Sequence, residues 1–277
     1  MYGNEDYAVM KVLAGKYFIV FLTQIKNLAE YKVNITLKLI RPLIMTLAVG
    51  SLWWVLFEVT GRETIGKFSR LSFVIYLLTI RFIAIFSPGG TSITNINEEI
   101  RTGNITMRLV RPIHYLLWLF CRNLPIPLVC GVTGVFFVTI LSIGLGGPVP
   151  RGWLGCCFVF SVLGTILIQY AIYQGIGILS FWIYEVFPLE RFYVTVNRIL
   201  SGELIPLTLF GATAQEILQY LPFACLAFIP GGIFTGIFTA EQAALLVTRQ
   251  FGWAAVLWIA VIFLYRKGLR KYEAQGG

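Results

Sequence analysis

The sequence predicts an all-α polytopic membrane protein with six transmembrane helices. Hydrophobic residues make up 57% of its 277 positions and charged residues only 13%, against roughly 45–50% and 25% in soluble domains. A soluble fold of this size cannot cover its surface with so few charges. Uncharged runs also recur at about the 20-residue length that a helix needs to cross a bilayer. These observations exclude an ordinary cytosolic enzyme, a disordered chain and a coiled coil.

The N-terminal segment is expected to lie along the membrane surface. Between Ala8 and Lys32, apolar residues are mixed with lysines and the longest uncharged run is too short to cross, which predicts an interfacial amphipathic helix. Five regular crossings are then expected, over Pro42–Phe57, Leu71–Ser87, within 123–150, within 152–184, and over Gln250–Tyr265. Glycines and prolines at 146–150 predict a tight turn between the third and fourth crossings in the chain.

The remaining crossing, the fifth in chain order, is less regular. A spanning helix is expected from about Ile199 to Ala212, although this segment contains Glu203 and Pro206. The uncharged stretch 217–240 that follows predicts a re-entrant, kinked element, which the membrane tolerates only when it packs against protein. Its helix breakers are Pro222, Pro230, Gly231 and Gly232. Gly232 and Gly236 form a G-x-x-x-G pair, for which a local bend is favoured over a dimer seam.

The basic residues orient this single membrane domain, which covers residues 1–277. Most of the 22 lysine and arginine residues fall on the side that holds both termini, and cytoplasmic loops retain such residues. Both termini are therefore expected in the cytoplasm, and the net charge of +9 does not indicate a nucleic-acid partner. The domain is expected to divide into an interfacial segment at 1–37, a six-span bundle at 38–266 and a cytoplasmic tail at 267–277.

The longest polar insertion on the inner side runs from Asn95 to Pro112 and is called the 95–112 segment below. Glu98, Glu99 and Arg101 are expected on a short helix that ends at Gly103, after which Asn104 can cap the next helix. A solvated turn that obeys the positive-inside rule explains these charges. This interpretation is favoured by the spacing alone, and a docking surface for a cytoplasmic partner is the alternative.

Arg81 is the one charge expected deep within a crossing. A charge at the bilayer centre costs roughly 2.5–3.5 kcal/mol on insertion scales, so its side chain must face protein or water. Two interpretations remain open: a structural ion pair that fixes the second crossing to its neighbours, or a place on a translocation path. Glu203 is a candidate partner or a second path residue.

The chain shows no energy-harvesting site of its own. Residues 61–68 spell G-R-E-T-I-G-K-F, but Phe68 stands where a phosphate-binding loop needs Ser or Thr to hold magnesium. A single histidine, His114, excludes a histidine-rich metal site. We therefore expect this chain to bind no nucleotide, metal or other cofactor.

Three short motifs resemble the ABC type-2 permeases, the membrane subunits of ATP-driven exporters, and especially their six-helix branch. The resemblance rests on Glu98-Glu99-Ile100 followed by Gly103 and Leu109-x-Arg111-Pro112, on Ser201-Gly202-x-x-Ile205-Pro206-Leu207, and on Leu221-Pro222-Phe223 with the later Pro230. With the leader and the order of spans it covers most of the chain. Gly211 departs from the pattern, because a proline is expected after the aromatic residue.

The resemblance implies a multi-pass subunit of the bacterial plasma membrane that exports a hydrophobic or amphiphilic substrate. A cytoplasmic ATP-binding subunit, which holds ATP and magnesium, would dock on the 95–112 segment, and a second permease chain, identical or related, would complete the path through the bilayer. The implied coupling residues are Glu98, Glu99, Arg101, Thr102, Gly103, Arg108 and Arg111. The candidate path residues are Arg81, Glu203 and Pro206.

Two other classes are weighed against this efflux function. A polytopic membrane enzyme would need catalytic groups clustered at one membrane face, and the scattered glutamates do not form such a group by spacing. A self-contained ion-coupled transporter would carry ionisable residues in several spans and an internal repeat. Only Arg81 and Glu203 meet the first requirement, so the permease remains the leading hypothesis.

Overall fold

A computed structural model describes residues 3–26, 30, 32–61, 63–65, 68–111 and 113–276, and these are almost entirely helical. Within them five helical stretches are long and apolar enough to cross a membrane: Lys32–Thr60, Arg70–Arg101, Pro125–Gly144, Trp153–Phe181 and Ala240–Tyr272. The prediction of an all-α polytopic membrane protein is confirmed at this level. Pro112, which belongs to one of the permease-like motifs, lies outside the described residues.

Twelve α-helices follow one another within the described ranges. They are α1 (Gly3–Lys26), α2 (Lys32–Thr60), α3 (Arg70–Ile83), α4 (Gly90–Arg101), α5 (Ile105–Leu109), α6 (Tyr115–Asn123), α7 (Pro125–Gly144), α8 (Trp153–Ile178), α9 (Phe187–Leu200), α10 (Ala212–Tyr220), α11 (Phe228–Phe234) and α12 (Ala240–Gly276). Short 3-10 turns extend α3 through Ala84–Phe86 and α8 through Leu179–Phe181, and two more cover Leu207–Leu209 and Ala224–Leu226.

The turn between α2 and α3 holds a minimal antiparallel pair, β1 (Thr64–Ile65) and β2 (Phe68–Ser69). Phe68 is fully buried there, and its ring lies 4.9 Å from the ring of Tyr76 and 5.4 Å from that of Phe73. The residue that departs from a phosphate-binding loop is thus a core side chain. Arg62, Gly66 and Lys67 lie outside the described residues.

Local sequence chemistry sets several helix starts. Ser69 caps α3 by accepting a 3.3 Å hydrogen bond from the backbone N–H of Ser72. Thr239 and Gln242 form a reciprocal capping box at the start of α12, in which each side chain accepts from the other residue's backbone N–H. The T-x-x-Q spacing of that box is visible in the sequence.

The second crossing is divided into two helices. α3 and its 3-10 turn end at Phe86, and α4 begins at Gly90 after Gly89 adopts φ +69° and ψ 176°, a conformation that essentially only glycine adopts. The helix expected over Leu71–Ser87 is therefore followed by a second helix, which begins five residues before the start of the expected polar insertion. The 95–112 segment is thus continuous with the second crossing through α4.

Glycines let α3 and α7 approach closely in antiparallel orientation. Phe82 packs against Gly134, and Phe86 packs against Gly131 one turn earlier on α7. Small residues at helix contacts are typical of membrane bundles, in which packing rather than hydrophobic burial holds helices together.

Replacing Gly134 with alanine is expected to destabilise the folded protein by about 1–3 kcal/mol, because the new Cβ would overlap the Phe82 ring in a packed interface. The midpoint of thermal unfolding in detergent measures this effect. Gly144→Ala in the same helix is the control, since its Cβ would meet nothing within 4 Å. Equal midpoints for the two variants would contradict the packing described here.

α8 and α12 pack side by side in parallel, and the contacts run in the same order along both: Gly164 with Gln250, Gly175 with Val261, and Phe181 with Gly268. Gln250 also donates a 2.8 Å hydrogen bond to the carbonyl of Cys225, which accepts another from Thr165. α12 has 37 residues and is therefore about 55 Å long. It remains helical to Gly276, so the tail expected over 267–277 is largely a continuation of the last crossing.

The segment expected to form a fifth spanning helix is not one helix, so that prediction is wrong. α9 ends at Leu200, Gly202 takes φ +83°, Pro206 precedes a 3-10 turn, and α10 starts only at Ala212. A positive φ and a proline both prevent continuation of the helical hydrogen-bond ladder. The chain instead passes through short pieces that pack against α3.

Candidate functional site

α4 carries the 95–112 segment and has two contrasting faces. Ile93, Ile96 and Ile100 are buried against α8, and Gly177 allows Ile96 to approach the α8 backbone. Glu98 and Arg101 are exposed on the other side. The isoleucine spacing of three to four residues is the ordinary helical period, and it fixes which charges face away from the bundle.

The end of α4 follows the expectation from the sequence. Thr102 terminates the helix and Gly103 adopts φ +77°, as in a helix that ends on a left-handed glycine. A Cβ atom added to Gly103 would lie 3.4 Å from the hydroxyl oxygen of Tyr272 on α12. The capping role expected for Asn104 is wrong: among the described residues its side chain caps nothing, because its own backbone is already helical.

Glu99 is the centre of a polar network that the sequence did not reveal. Its Oε1 lies 3.3 Å from Arg108 Nη2 and 3.6 Å from Arg122 Nη1, and its Oε2 accepts a 2.8 Å hydrogen bond from the Tyr115 hydroxyl. Only 13% of the Glu99 side chain is exposed. Burial and the neighbouring Glu99 carboxylate both raise the pKa of the Tyr115 phenol, which keeps it a neutral donor.

The aromatic ring of Trp118 completes this network. The guanidinium carbon of Arg108 lies 4.5 Å from the ring centroid and that of Arg122 lies 5.0 Å from it, within the range of cation–π attraction. Glu99 therefore ties α4 to α5 and α6, and its carboxylate is occupied inside the protein. The adjacent Glu98 makes no ion pair within the described residues.

Two clefts flank the end of α4, with Glu98 between them. The first cleft, of about 350 Å³, is rich in arginine and is lined by Glu98, Glu99, Arg108, Arg111 and Arg122, among others. The second cleft, of about 400 Å³, is lined by Thr94, Asn97, Glu98, Arg101, Thr102, Glu185 and Phe187. The seven expected coupling residues thus all belong to one surface: Gly103 lies at the turn between α4 and α5, and the others line the clefts.

Arg101 is held at the side of the second cleft. Its guanidinium donates a hydrogen bond to the hydroxyl of Tyr184 and lies 3.7 Å from the centroid of that ring. Thr102 donates its hydroxyl hydrogen to the backbone carbonyl of Glu98. The contact with Tyr184 joins the 95–112 segment to the turn that follows α8.

The charge expected in the second crossing has a partner. Arg81 Nη1 lies 2.6 Å from Glu203 Oε1, and the two side chains are only 11% and 12% exposed. One turn away on α3, the Tyr76 hydroxyl donates to the carbonyl of Gly202. These two contacts fasten the break after α9 to α3, with Pro206 buried nearby in the chain.

The four residues expected in the re-entrant element lie around α11. Pro222 precedes the 3-10 turn at 224–226, Pro230 and Gly232 are buried within α11, and Gly236 takes φ +74° just after it. Gly232 packs against Phe238 of the same segment. This geometry favours the local bend over a helix–helix seam for the G-x-x-x-G pair.

Several residues around the end of α4 were not identified from the sequence. Tyr115, Trp118, Arg122, Tyr184 and Glu185 are common residue types for a membrane–water boundary, and nothing in their spacing relates them to α4. An aromatic cluster beside arginines was the only available signal, and it is a weak one.

The comparison that decides the family covers most of the chain. A family model described as "ABC-2 family transporter protein" matches residues 43–276. The chain belongs to this family. None of the curated proteins compared with the chain matches it. ABC-2 membrane proteins work with ATP-binding subunits. The family therefore indicates the kind of partner to consider for the exposed end of α4.

Proposed function

We propose that this ABC-2 family member is the membrane-spanning permease subunit of an exporter, which moves a hydrophobic or amphiphilic substrate out of the cell. ATP and magnesium are held by a separate cytoplasmic subunit that docks on the 95–112 segment, and this chain binds neither. The observation that carries the proposal is the contrast between the two faces of α4. Its apolar face is packed into the bundle, while Glu98 is presented to solution between two charged clefts.

The contacts of α4 suit the transmission of movement. The buried isoleucines join α4 to α8, the Glu99 network joins it to α5 and α6, and Arg101 joins it to the turn after α8. A partner that displaces the end of α4 therefore also acts on α5, α6 and the crossing formed by α8. The glycine break at Gly89 gives α4 a point of flexure relative to α3.

Six crossings are proposed on topological grounds. α8 and α12 are parallel, so both run across the bilayer in the same direction. The chain between them must return to its starting side, and the short pieces from α9 to α11 make that crossing and include the re-entrant bend. α11 is buried along its whole length, as irregular structure within a membrane must be.

The orientation and the assembly complete the proposal. The distribution of basic residues supports a cytoplasmic location for both termini and for the 95–112 segment, and the family resemblance supports the plasma membrane of a bacterial cell. In this proposal α1 lies along the inner interface of the single domain. Tyr17 of α1 accepts a 2.8 Å hydrogen bond from the backbone N–H of His114, which places α1 beside α6. A second permease chain, identical or related, faces this one across the translocation path.

Arg81, Glu203 and Pro206 are proposed to border that path. Arg81 Nε and Ser201 Oγ are buried and have no hydrogen-bond partner among the described residues. Because buried polar groups are usually hydrogen-bonded, these two atoms remain available to a bound molecule. The ion-coupled alternative is less well supported, since the Glu203 carboxylate is already paired with Arg81 at 2.6 Å.

Affinity purification from native membranes tests the assignment. We expect an ATP-binding subunit to co-purify with the tagged permease in a fixed ratio and to hydrolyse ATP in the purified complex. Glu241→Lys, an exposed reversal at the start of α12, is the control and is expected to purify the same complex. Recovery of the permease without any ATP-hydrolysing subunit would contradict the proposed function.

A further inference from the structure

The second cleft beside α4 has an excess of hydrogen-bond acceptors. Glu98 and Glu185 are both exposed at its edges, and neither makes an ion pair within the described residues. Asn97, which is only 5% exposed, also lines the cleft, and its buried Oδ1 has no partner among the described side chains and backbone. Buried polar atoms are nearly always satisfied in a complete assembly.

Among the described residues that line the cleft, the one cation already has contacts within the permease. Arg101 lies over the ring of Tyr184 and donates to its hydroxyl, and within the described residues it makes no ion pair with either carboxylate. The cleft therefore keeps an excess of negative charge, because two carboxylates face one guanidinium. Phe187, 42% exposed, adds an apolar wall. These groups form a site for a cation carried on an apolar stem. Glu98 and Glu185 supply the negative charge, Asn97 has an unsatisfied amide oxygen, and Phe187 supplies the apolar wall.

We infer that the second cleft receives a lysine or arginine side chain of the ATP-binding subunit, with its charge between Glu98 and Glu185 and its stem against Phe187. This inference rests on the proposed function and names the chemistry of the partner at the same surface. A long basic side chain fits because its methylene stem packs on apolar surface while its head keeps polar contacts.

The first cleft differs from the second in the charge that it would accept from a partner. It places Arg108, Arg111 and Arg122 on the other side of Glu98, where a basic side chain would be repelled. Opposite charge preferences on the two sides of one helix end fix the register of a docking partner. Glu185 belongs to the turn after α8 rather than to the 95–112 segment, so the basic side chain would bridge two separate parts of the permease.

The experiment compares Glu185→Lys, Glu185→Gln and the control Glu241→Lys. Each is produced together with the ATP-binding subunit that co-purifies with the wild-type permease in the experiment proposed above. We expect Glu185→Lys to lower the amount of subunit retained on the permease at least about tenfold at roughly 0.15 M salt, and Glu185→Gln to lower it less. Wild-type retention is expected to fall at about 0.5 M salt, and the fall should be smaller for Glu185→Gln, which lacks the charge.

The outcomes separate this inference from the proposed function. Release of the subunit by Glu98→Lys together with full retention by both Glu185 variants would overturn the inference and leave the proposed function standing. Absence of any ATP-hydrolysing subunit on the wild-type permease would overturn both. The thermal unfolding midpoint of each variant in detergent shows whether that variant is folded. If Glu185→Lys is not folded, the retention measured with Glu185→Gln tests the inference.

Discussion

Glu98→Lys is expected to abolish ATP-driven export while the permease remains folded in the membrane. Glu98 is exposed and makes no ion pair within the described residues, so its reversal costs the isolated subunit little. At a docking interface the same change brings like charges together, which costs several kcal/mol. The measurement is export in whole cells and substrate-stimulated ATP hydrolysis by the purified complex, with a fall of at least about tenfold expected.

Glu99→Lys is expected to behave differently, although the two residues are neighbours. It would replace the carboxylate shared by Arg108, Arg122 and Tyr115 with a third cation at a site where the native side chain is 13% exposed. We therefore expect a loss of folded protein rather than a folded, uncoupled permease. Normal export by Glu98→Lys, or equal folding defects in both single variants, would contradict the division of roles on α4.

Arg81→Gln is expected to destabilise the permease by about 3–5 kcal/mol, because it leaves the Glu203 carboxylate buried without its partner. The double variant Arg81→Gln with Glu203→Gln removes both charges and is expected to regain much of that stability. Thermal unfolding in detergent measures both effects. Arg81→Lys keeps the charge and serves as the conservative comparison.

Export by the double variant then separates the two roles of the pair. A folded double variant with little export would support a place on the translocation path, whereas full export would make the pair purely structural. Equal stability of Arg81→Gln and the wild type would show that the 2.6 Å contact does not hold α3 to the break after α9.

The sequence predicted those parts of the molecule that depend on local pattern. Long uncharged runs predicted the five helical stretches that are long and apolar enough to cross a membrane, and Gly103 correctly marked the end of α4. The suggestion that Arg81 and Glu203 are partners came from the cost of a charge in lipid. Each of these inferences needs only the properties of one segment or of one unfavourable group.

The parts that depend on distant contacts were not predictable. Glu98 and Glu99 are identical side chains in sequence, and only the packing of α6 shows that one is enclosed by Arg108, Arg122 and Tyr115. The sequence predicts a helix between Leu200 and Ala212 because the apolar composition permits one. The structure breaks the helix there, since Gly202 has a positive φ and Glu203 is paired with Arg81. Parallel packing of α8 on α12 likewise has no local signature.

Transport by purified subunits in sealed vesicles tests most directly whether this chain works on energy supplied through the 95–112 segment. Vesicles that contain the permease and its ATP-binding subunit are expected to accumulate substrate only when ATP is present on the side of that segment. Vesicles with the permease alone are expected to equilibrate at most. Uphill transport by the permease alone, driven by an ion gradient, would contradict the account.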